Sequence, residues 1–171
     1  AAHWLAEAGE QAIAGVLRVY GEERFARRIA RKIVETRKEQ SIRTTRQLAE
    51  LIEGAVPVRE RNRHPATRSF QAIRIYINRE LEELETVLAQ VPDVLAAHGR
   101  LAVISFHSLE DRVVKKFVKT GNVEGVQEKD EYGSVRKIFK EVVKGVVQAT
   151  EAERKENPRS ISAKLRIAER L

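Results

Sequence analysis

The chain has 171 residues, 42% of them hydrophobic, and its 32 basic against 25 acidic residues give a net charge of +7. This composition fits one globular domain or two small lobes and excludes a disordered or collagen-like chain. The absence of cysteine excludes disulfides and thiolate metal sites, and the apolar runs are too short for a membrane span or a secretory signal. We expect a cytoplasmic protein with no membrane partner. The chain has no methionine and begins at Ala1, so we also expect a piece of a longer protein.

Three helices are predicted in the first third of the chain. Apolar residues at helical spacing predict a helix over 10–20, which Gly21 would end as the C-cap. A second helix is predicted to start at once from Glu22, and a third to run over 45–53 behind a capping box that begins at Thr44. Together these segments predict a small helical lobe.

A proline-flanked, charged stretch over 55–65 predicts an exposed connector. We therefore place a domain boundary there, with a helical lobe over 1–63 and a second domain over 64–171. After Pro65 the apolar spacing predicts one long helix to about Val91.

The remainder of the chain predicts an α/β domain. The apolar, β-branched run over 100–106 is typical of a buried parallel strand, and Ser108 is predicted to cap the helix after it. Two further strands are predicted over 142–147 and 163–168, the second of them a basic edge strand. This order of elements corresponds to half of an α/β sheet.

Positive charge is concentrated in residues 41–79, which hold three glutamates and no lysine. The planar guanidinium group of arginine suits phosphate contact and stacking on bases, so this segment favours a nucleic acid partner over a solvated surface, which stays the alternative. Its eight arginines are Arg43, Arg46, Arg59, Arg61, Arg63, Arg68, Arg74 and Arg79.

The segment from Ser105 to Arg112, called here the strand-tip segment, is the sharpest candidate site. Ligands of open α/β sheets bind beyond the carboxyl ends of strands, and helix capping explains Ser108 and the acids after it but not His107. No glycine pair forms a nucleophile elbow around either serine, which argues against a hydrolase triad. A lone pair of His107 with Asp111 is seldom a metal site, so we predict no metal.

Two further segments are candidate binding surfaces. The first begins at His64 and continues along one helical face, where amides and arginines without partner acids are unusual for an ordinary solvent face. The second is the turn at Asn157 together with the basic strand after it, a segment that also fits a structural hairpin. No glycine-rich phosphate loop occurs, so we predict no cofactor-binding residue in this chain.

At these segments the chain resembles the small-subunit ribosomal RNA (cytosine-N4)-methyltransferase family, also called MraW or methyltransferase H. The resemblance runs almost end to end and is carried by long strings in order: Tyr20–Phe25, Ile29–Arg31, Thr44–Glu50, His64–Arg68, Phe70–Ile75, Asn78–Leu81, Ser105–Arg112, Asn157–Arg159 and Ser162–Arg166.

The resemblance implies a doubly wound, Rossmann-like methyltransferase sheet with an all-helical recognition lobe, of which this chain would supply the lobe and the C-terminal half of the sheet. The family's N-terminal half, with its contacts to S-adenosylmethionine, has no counterpart here, so the isolated chain is expected to be inactive. Two smaller departures are the lack of an asparagine near Ala6 and a less basic turn at 160–162.

The implied activity is methylation of the exocyclic N4 amine of a cytidine in 16S rRNA, with the small ribosomal subunit as partner and a homodimer as a possibility. A non-catalytic rRNA-binding module is the alternative. We expect the strand-tip segment and the arginine-bearing helix after Pro65 to converge on one cleft for an extruded pyrimidine. His107, Ser105 and Asp111 are the catalytic candidates. The substrate-binding candidates are His64, Thr67, Arg68, Gln71, Arg74, Asn78, Ser108, Arg112, Arg159, Lys164 and Arg166.

Overall fold

The computed structural model describes residues 1–58, 64–127, 129–135 and 137–171. It divides the chain into two compact units, Ala1–Glu80 and Leu81–Leu171. Most of the predicted connector, with the arginines at 59, 61 and 63, lies outside the described residues. The two units meet between Glu80 and Leu81, and each is described by itself.

The first unit is helical, as predicted. Its core is made of small and branched apolar side chains, among them Ile13, Leu17, Ile29 and Ile33, which are fully buried. Five helices supply this core: α1 (Ala2–Glu7), α2 (Glu10–Gly21), α3 (Ala26–Glu39), α4 (Thr45–Ala55) and α5 (Thr67–Asn78).

The helix ends differ in part from the sequence predictions. The capping box of α4 is confirmed, since the Thr44 hydroxyl accepts the amide N–H of Gln47 at 3.2 Å and the Gln47 side chain accepts that of Thr44 at 3.0 Å. Gly21, however, is the last residue of α2, and the left-handed C-cap is Glu22, with φ of 49°. The second helix starts only at Ala26, because residues 22–25 form the turn, where the Glu23 carboxylate accepts the amide of Phe25.

Gly21 is required by the close approach of α2 to α5. A Cβ atom at position 21 would lie 2.6 Å from the backbone oxygen of Arg68 and 3.1 Å from the Cβ of Ala72. Real Cβ atoms do not come this close to backbone, so only glycine allows the two helices to pack at this distance.

Gly21→Ala is expected to lower the free energy of unfolding by about 1–3 kcal/mol, because the backbone of α5 must shift to admit the methyl group. Gly15→Ala is the matched control on the same helix, since a Cβ there meets nothing within 4 Å. That change should raise stability by about 0.5–1 kcal/mol through helix propensity. Urea denaturation followed by circular dichroism measures both, and equal effects of the two changes would contradict the packing argument.

The predicted long helix after Pro65 is two helices, α5 and α6 (Glu80–Val94). Arg79 adopts a left-handed conformation with φ of 52° and ends α5. The carboxylate of Glu80 then accepts hydrogen bonds from Arg74, at 2.8 and 2.9 Å, and from the Asn78 amide at 3.2 Å. Because apolar spacing continues through the break, periodicity alone could not reveal it.

The second unit contains helices and a small antiparallel sheet in the strand order β1-β4-β2, with β3 also pairing β4. The strand prediction at 100–106 is correct, but its partner was predicted wrongly as parallel: Arg100 lies opposite Glu169 and Ser105 opposite Lys164 in an antiparallel ladder. The remaining elements of the unit are β1 (Arg100–Ser105), α7 (Ser108–Thr120), β2 (Phe139–Glu141), β3 (Val147–Gln148), α8 (Glu151–Glu156), a 3-10 helix (Pro158–Ser162) and β4 (Lys164–Arg170).

Two other strand predictions are corrected by this sheet. In place of the strand predicted over 142–147 there are two short strands, β2, which ends just before this range, and β3, which begins at its last residue. The predicted basic edge strand is central, because β4 pairs with β1 on one side and with β2 and β3 on the other. Its basic side chains are therefore surrounded by neighbours rather than displayed at an edge.

Alternate residues of β1 are exposed. Arg100, Ala102 and Ile104 are exposed, and Ile104 keeps 58% of its surface, whereas a strand covered on both faces would bury it. Within the described part of the chain β1 pairs with β4 alone, so its other edge is open. The opposite side of the sheet packs on α6 and α7 through a core of Leu88, Val114, Phe117, Val118, Phe139 and Ala168.

Candidate functional site

The turn from β1 into α7 places the strand-tip segment at the carboxyl end of β1, as predicted. His107, rather than Ser108, is the N-cap residue of α7. Its Nδ1 accepts the backbone N–H of Glu110 at 3.3 Å, and the Glu110 carboxylate accepts the N–H of His107 at 3.3 Å. This is a capping box with imidazole in the place of the usual hydroxyl.

The cap assigns the tautomer of His107. An Nδ1 that accepts a hydrogen bond carries no proton, so in the neutral ring the proton is on Nε2. The side chain is 8% exposed, and Nε2 is buried 3.3 Å from Oε1 of Glu110 without hydrogen-bond geometry to any described residue. His107 is thus held by its cap and presents an N–H to the Glu110 carboxylate.

Glu110 is the central residue of this turn, although the sequence reading took it only as an acid suited to a helix N-terminus. Its Oε2 accepts the N–H of Phe106 at 2.8 Å as well as that of His107. Burial raises the pKa of Glu110, but the His107 side chain 3.3 Å away and the hydrogen bonds from the backbone outweigh that effect, so that the pKa is lowered overall. The carboxylate is therefore ionised at neutral pH. The three-residue spacing from His107 was the signal that could have found it.

Asp111 pairs with the strand rather than facing solvent. Arg166 donates from Nε to one Asp111 oxygen at 2.8 Å and from Nη2 to the other at 3.2 Å, and the Lys164 ammonium lies 3.6 Å away. The hydrogen bonds from Arg166 lower the pKa of Asp111 against the effect of burial, assisted by both positive charges. This bidentate pair ties the first turn of α7 to β4.

The other predicted residues of the strand-tip segment differ in exposure. Ser105 is buried, and its hydroxyl donates to the backbone oxygen of Lys164 at 3.4 Å. Ser108 and Arg112 are exposed on α7. Phe106 was not among the predicted site residues, yet its ring is 54% exposed directly after the strand.

The second predicted surface lies in the first unit, at the start of α5. His64 closes the turn before the helix, with Nδ1 accepting the N–H of Ala66 at 3.2 Å and its backbone oxygen accepting that of Thr67 at 3.0 Å. Arg68 donates to the backbone oxygen of Glu22 at 3.4 Å. These residues border a cleft of about 150 Å³ that also contacts Phe25 and Val56.

One premise for this surface is wrong. The arginines of the face were predicted to lack acidic partners, but Arg74 is paired with Glu80, which also binds Asn78. Gln71, three residues before Arg74 on α5, is half-buried. The pairing neutralises part of the charge at the C-terminal end of α5.

The third predicted surface is the turn that leads into β4. Asn157 accepts the N–H of Arg159 at 3.2 Å through its side chain and the hydroxyl of Ser160 at 2.8 Å through its backbone oxygen. Arg159 is exposed, whereas Lys164 and Arg166 lie on Asp111. Arg159 is consequently the basic residue of this segment that is most open to a ligand.

The strand-tip turn does not fit a dinucleotide-like cofactor. The turn joins β1 to α7, and its backbone N–H groups at 106, 107 and 110 are already taken by Glu110 and His107. A loop that binds an anionic group, such as the carboxylate of S-adenosylmethionine, through its backbone needs such N–H groups free.

Known proteins resemble the chain over its whole length. The family model of the MraW methylase family matches residues 1–171. The chain belongs to the MraW methylase family. Its curated relatives include "Ribosomal RNA small subunit methyltransferase H" of Thioalkalivibrio sulfidiphilus, which is 57% identical over all of this chain. Proteins of the same name from Thiobacillus denitrificans and Nitrosococcus oceani are 53% and 51% identical over 100% and 99% of it.

The chain spans about 55% of the length of these MraW relatives. The family expected from the sequence strings is thereby confirmed, and the mixed helices and small sheet are consistent with a methyltransferase fold. In the described parts of the chain, no helix has the length and hydropathy that crossing a bilayer requires.

Proposed function

We propose that this chain is the substrate-facing part of a methyltransferase that methylates the exocyclic N4 amine of a cytidine in small-subunit rRNA, with S-adenosylmethionine as the methyl donor. The observation that carries the proposal is the similarity, over nearly all of this chain, to relatives named ribosomal RNA small subunit methyltransferase H. The cytosine specificity comes from the resemblance of the sequence strings, and the strand-tip segment supports it with groups suited to a base edge.

The open edge of β1 supports the view that the chain is one part of a larger sheet. An unpaired strand edge beside the exposed Ile104 is a surface on which further strands can add. We propose that the remainder of the doubly wound sheet pairs there and brings the cofactor site. The domain assignment of 1–63 as recognition lobe and 64–171 as half of the methyltransferase domain belongs to this proposal.

The predicted site residues divide into two roles. We assign base contact to the strand-tip segment, in which the buried Ser105 and the capping His107 hold the turn in place. Contact with RNA phosphates and riboses is assigned to the α5 face and to Arg159, because backbone contacts position an RNA while base-edge contacts select the nucleotide. Lys164 and Arg166 act through Asp111, which fixes the helix that carries the site.

Methyl transfer to this amine requires positioning above all. The amine nitrogen is conjugated with the ring and is a weak nucleophile. The protein must therefore hold the base out of its stack, align the nitrogen with the methyl group, and supply an acceptor for a hydrogen bond from the amine N–H. A rigid turn with an ionised carboxylate meets the last requirement. Methylation of small-subunit rRNA by the full-length protein, with N4-methylcytidine found by mass spectrometry of the digested RNA, tests the proposal. Tight RNA binding without that product would favour the non-catalytic alternative.

Arg159→Gln is expected to weaken binding of a small-subunit rRNA fragment by roughly three- to tenfold and to reduce the salt slope of log Kobs by about 0.7–0.9, which is the loss of one phosphate contact. Filter binding at several salt concentrations measures both. Arg100→Gln is the matched control, because it removes the same charge at the other end of β1, where Arg100 pairs with Glu169 at 3.3 Å. Equal losses for the two variants would contradict a specific contact at Arg159.

A further inference from the structure

We infer that Glu110 is the residue that recognises the amine of the target cytidine, accepting a hydrogen bond from it through Oε1. This inference rests on the proposed function and adds to it a specificity-determining residue that the sequence reading left out. His107, the first catalytic candidate, becomes the positioning residue of that carboxylate.

The first argument is the division of labour between the two oxygens of Glu110. Oε2 is used by the turn, where it accepts the N–H groups of Phe106 at 2.8 Å and His107 at 3.3 Å. Oε1 faces Nε2 of His107 at 3.3 Å, without hydrogen-bond geometry between them. One oxygen therefore fixes the carboxylate, while the other has the Nε2 group of His107 beside it and keeps a lone pair for a ligand.

The second argument is the state of His107. Its Nδ1 accepts the N–H of Glu110, so in the neutral ring Nε2 carries the proton. A proton-bearing Nε2 cannot accept a hydrogen bond from an amine. The buried, unpartnered Nε2–H instead directs a positive dipole at Oε1 and keeps Glu110 in its charged, accepting state.

The third argument is chemical complementarity. The edge of cytosine presents the N4 amine as a donor, and carboxylates of Glu and Asp accept from it, whereas uracil presents an acceptor at the same position. The Glu110 side chain is 24% exposed and lies at the carboxyl end of β1. An ionised carboxylate there favours cytosine and repels the O4 oxygen of uracil.

The test compares binding of cytidine and uridine 5′-monophosphates by NMR titration of the full-length protein. The unchanged protein should bind the cytidine nucleotide at least about tenfold more tightly. Glu110→Gln keeps one oxygen for the turn and replaces the other with an N–H₂ group, so the preference should vanish or reverse while the thermal midpoint stays close to that of the unchanged protein. Glu110→Ala, which loses the cap as well, should lower that midpoint.

A ligand-side comparison keeps the test valid even if the Gln variant does not fold. The 5′-monophosphate of the pyrimidin-2-one riboside lacks the amine and should bind the unchanged protein about tenfold more weakly than the cytidine nucleotide. Equal affinity for these two ligands, or a cytidine preference that survives Glu110→Gln, overturns the inference. Absence of N4-methylcytidine from treated rRNA is a separate result, and it overturns the proposed function instead.

Discussion

Arg166→Met is expected to lower the free energy of unfolding by about 3–5 kcal/mol, because it leaves the Asp111 carboxylate without its partner in a largely buried position. The two side chains are only 10% and 15% exposed, and they are joined by two hydrogen bonds of 2.8 and 3.2 Å. Lys164, at 3.6 Å from the same carboxylate, compensates in part. Urea denaturation at neutral pH measures the loss.

Arg100→Met is the control for that experiment. Arg100 also forms an ion pair across β1 and β4, with Glu169 at 3.3 Å, but its side chain is 65% exposed. An exposed pair contributes at most about 1 kcal/mol, so the stability of this variant should remain close to that of the unchanged protein.

A double variant, Arg166→Met with Asp111→Leu, should recover most of the lost stability, since replacing a buried ion pair by apolar residues is often neutral. A loss below about 1 kcal/mol in the single variant would show that the pair does not hold α7 to the strand.

The sequence predicted the local features of the helical unit because they depend on near neighbours. The capping box at Thr44 involves residues three apart, and the apolar stripe of α2 follows the helical repeat. Such features need no knowledge of the remainder of the chain. The end of α5 at Arg79 escaped because a single left-handed residue interrupts no apolar period.

The sheet was predicted less well because its pairing joins distant parts of the chain. Whether β1 has a parallel or an antiparallel neighbour depends on β4, more than 50 residues later, and a short β-branched run fits both. The same distance hid the partner of Asp111. Arg166 and Lys164 were read as RNA contacts from their charge, yet their nearest charged group is this carboxylate on α7.

The candidate site shows a further limit of sequence reasoning. His107 stood out because helix capping was not expected to explain it, while Glu110 was explained by its place in the first turn of the helix. The hydrogen bonds indicate the opposite roles. The imidazole of His107 is used in the cap of α7, whereas Oε1 of Glu110 takes no part in the bonds of the turn. Which of two neighbouring polar residues is free depends on backbone geometry, which composition and spacing do not contain.

Phe117→Ala is expected to destabilise the second unit by about 3–5 kcal/mol. Phe117 is fully buried on the inner face of α7, and its ring centre lies 5.1 Å from that of Phe139 on β2. The change removes both the buried area and the aromatic pair, and leaves a cavity between helix and sheet. Denaturation followed by circular dichroism measures it. Val87→Ala on α6, where the side chain is 60% exposed, should change stability by less than about 0.5 kcal/mol.

This packing also positions the candidate site, because α7 carries Glu110 about two turns before Phe117 and is held to β4 by Asp111. A helix that loses its apolar anchor but keeps its ion pair can tilt, and a displacement of about 1 Å at a positioned group is enough to reduce turnover strongly. Phe117→Leu, which keeps most of the buried volume, should therefore retain more of the cytidine preference than Phe117→Ala. Equal preference in both variants would show that the turn at 106–110 keeps its geometry through its own hydrogen bonds alone.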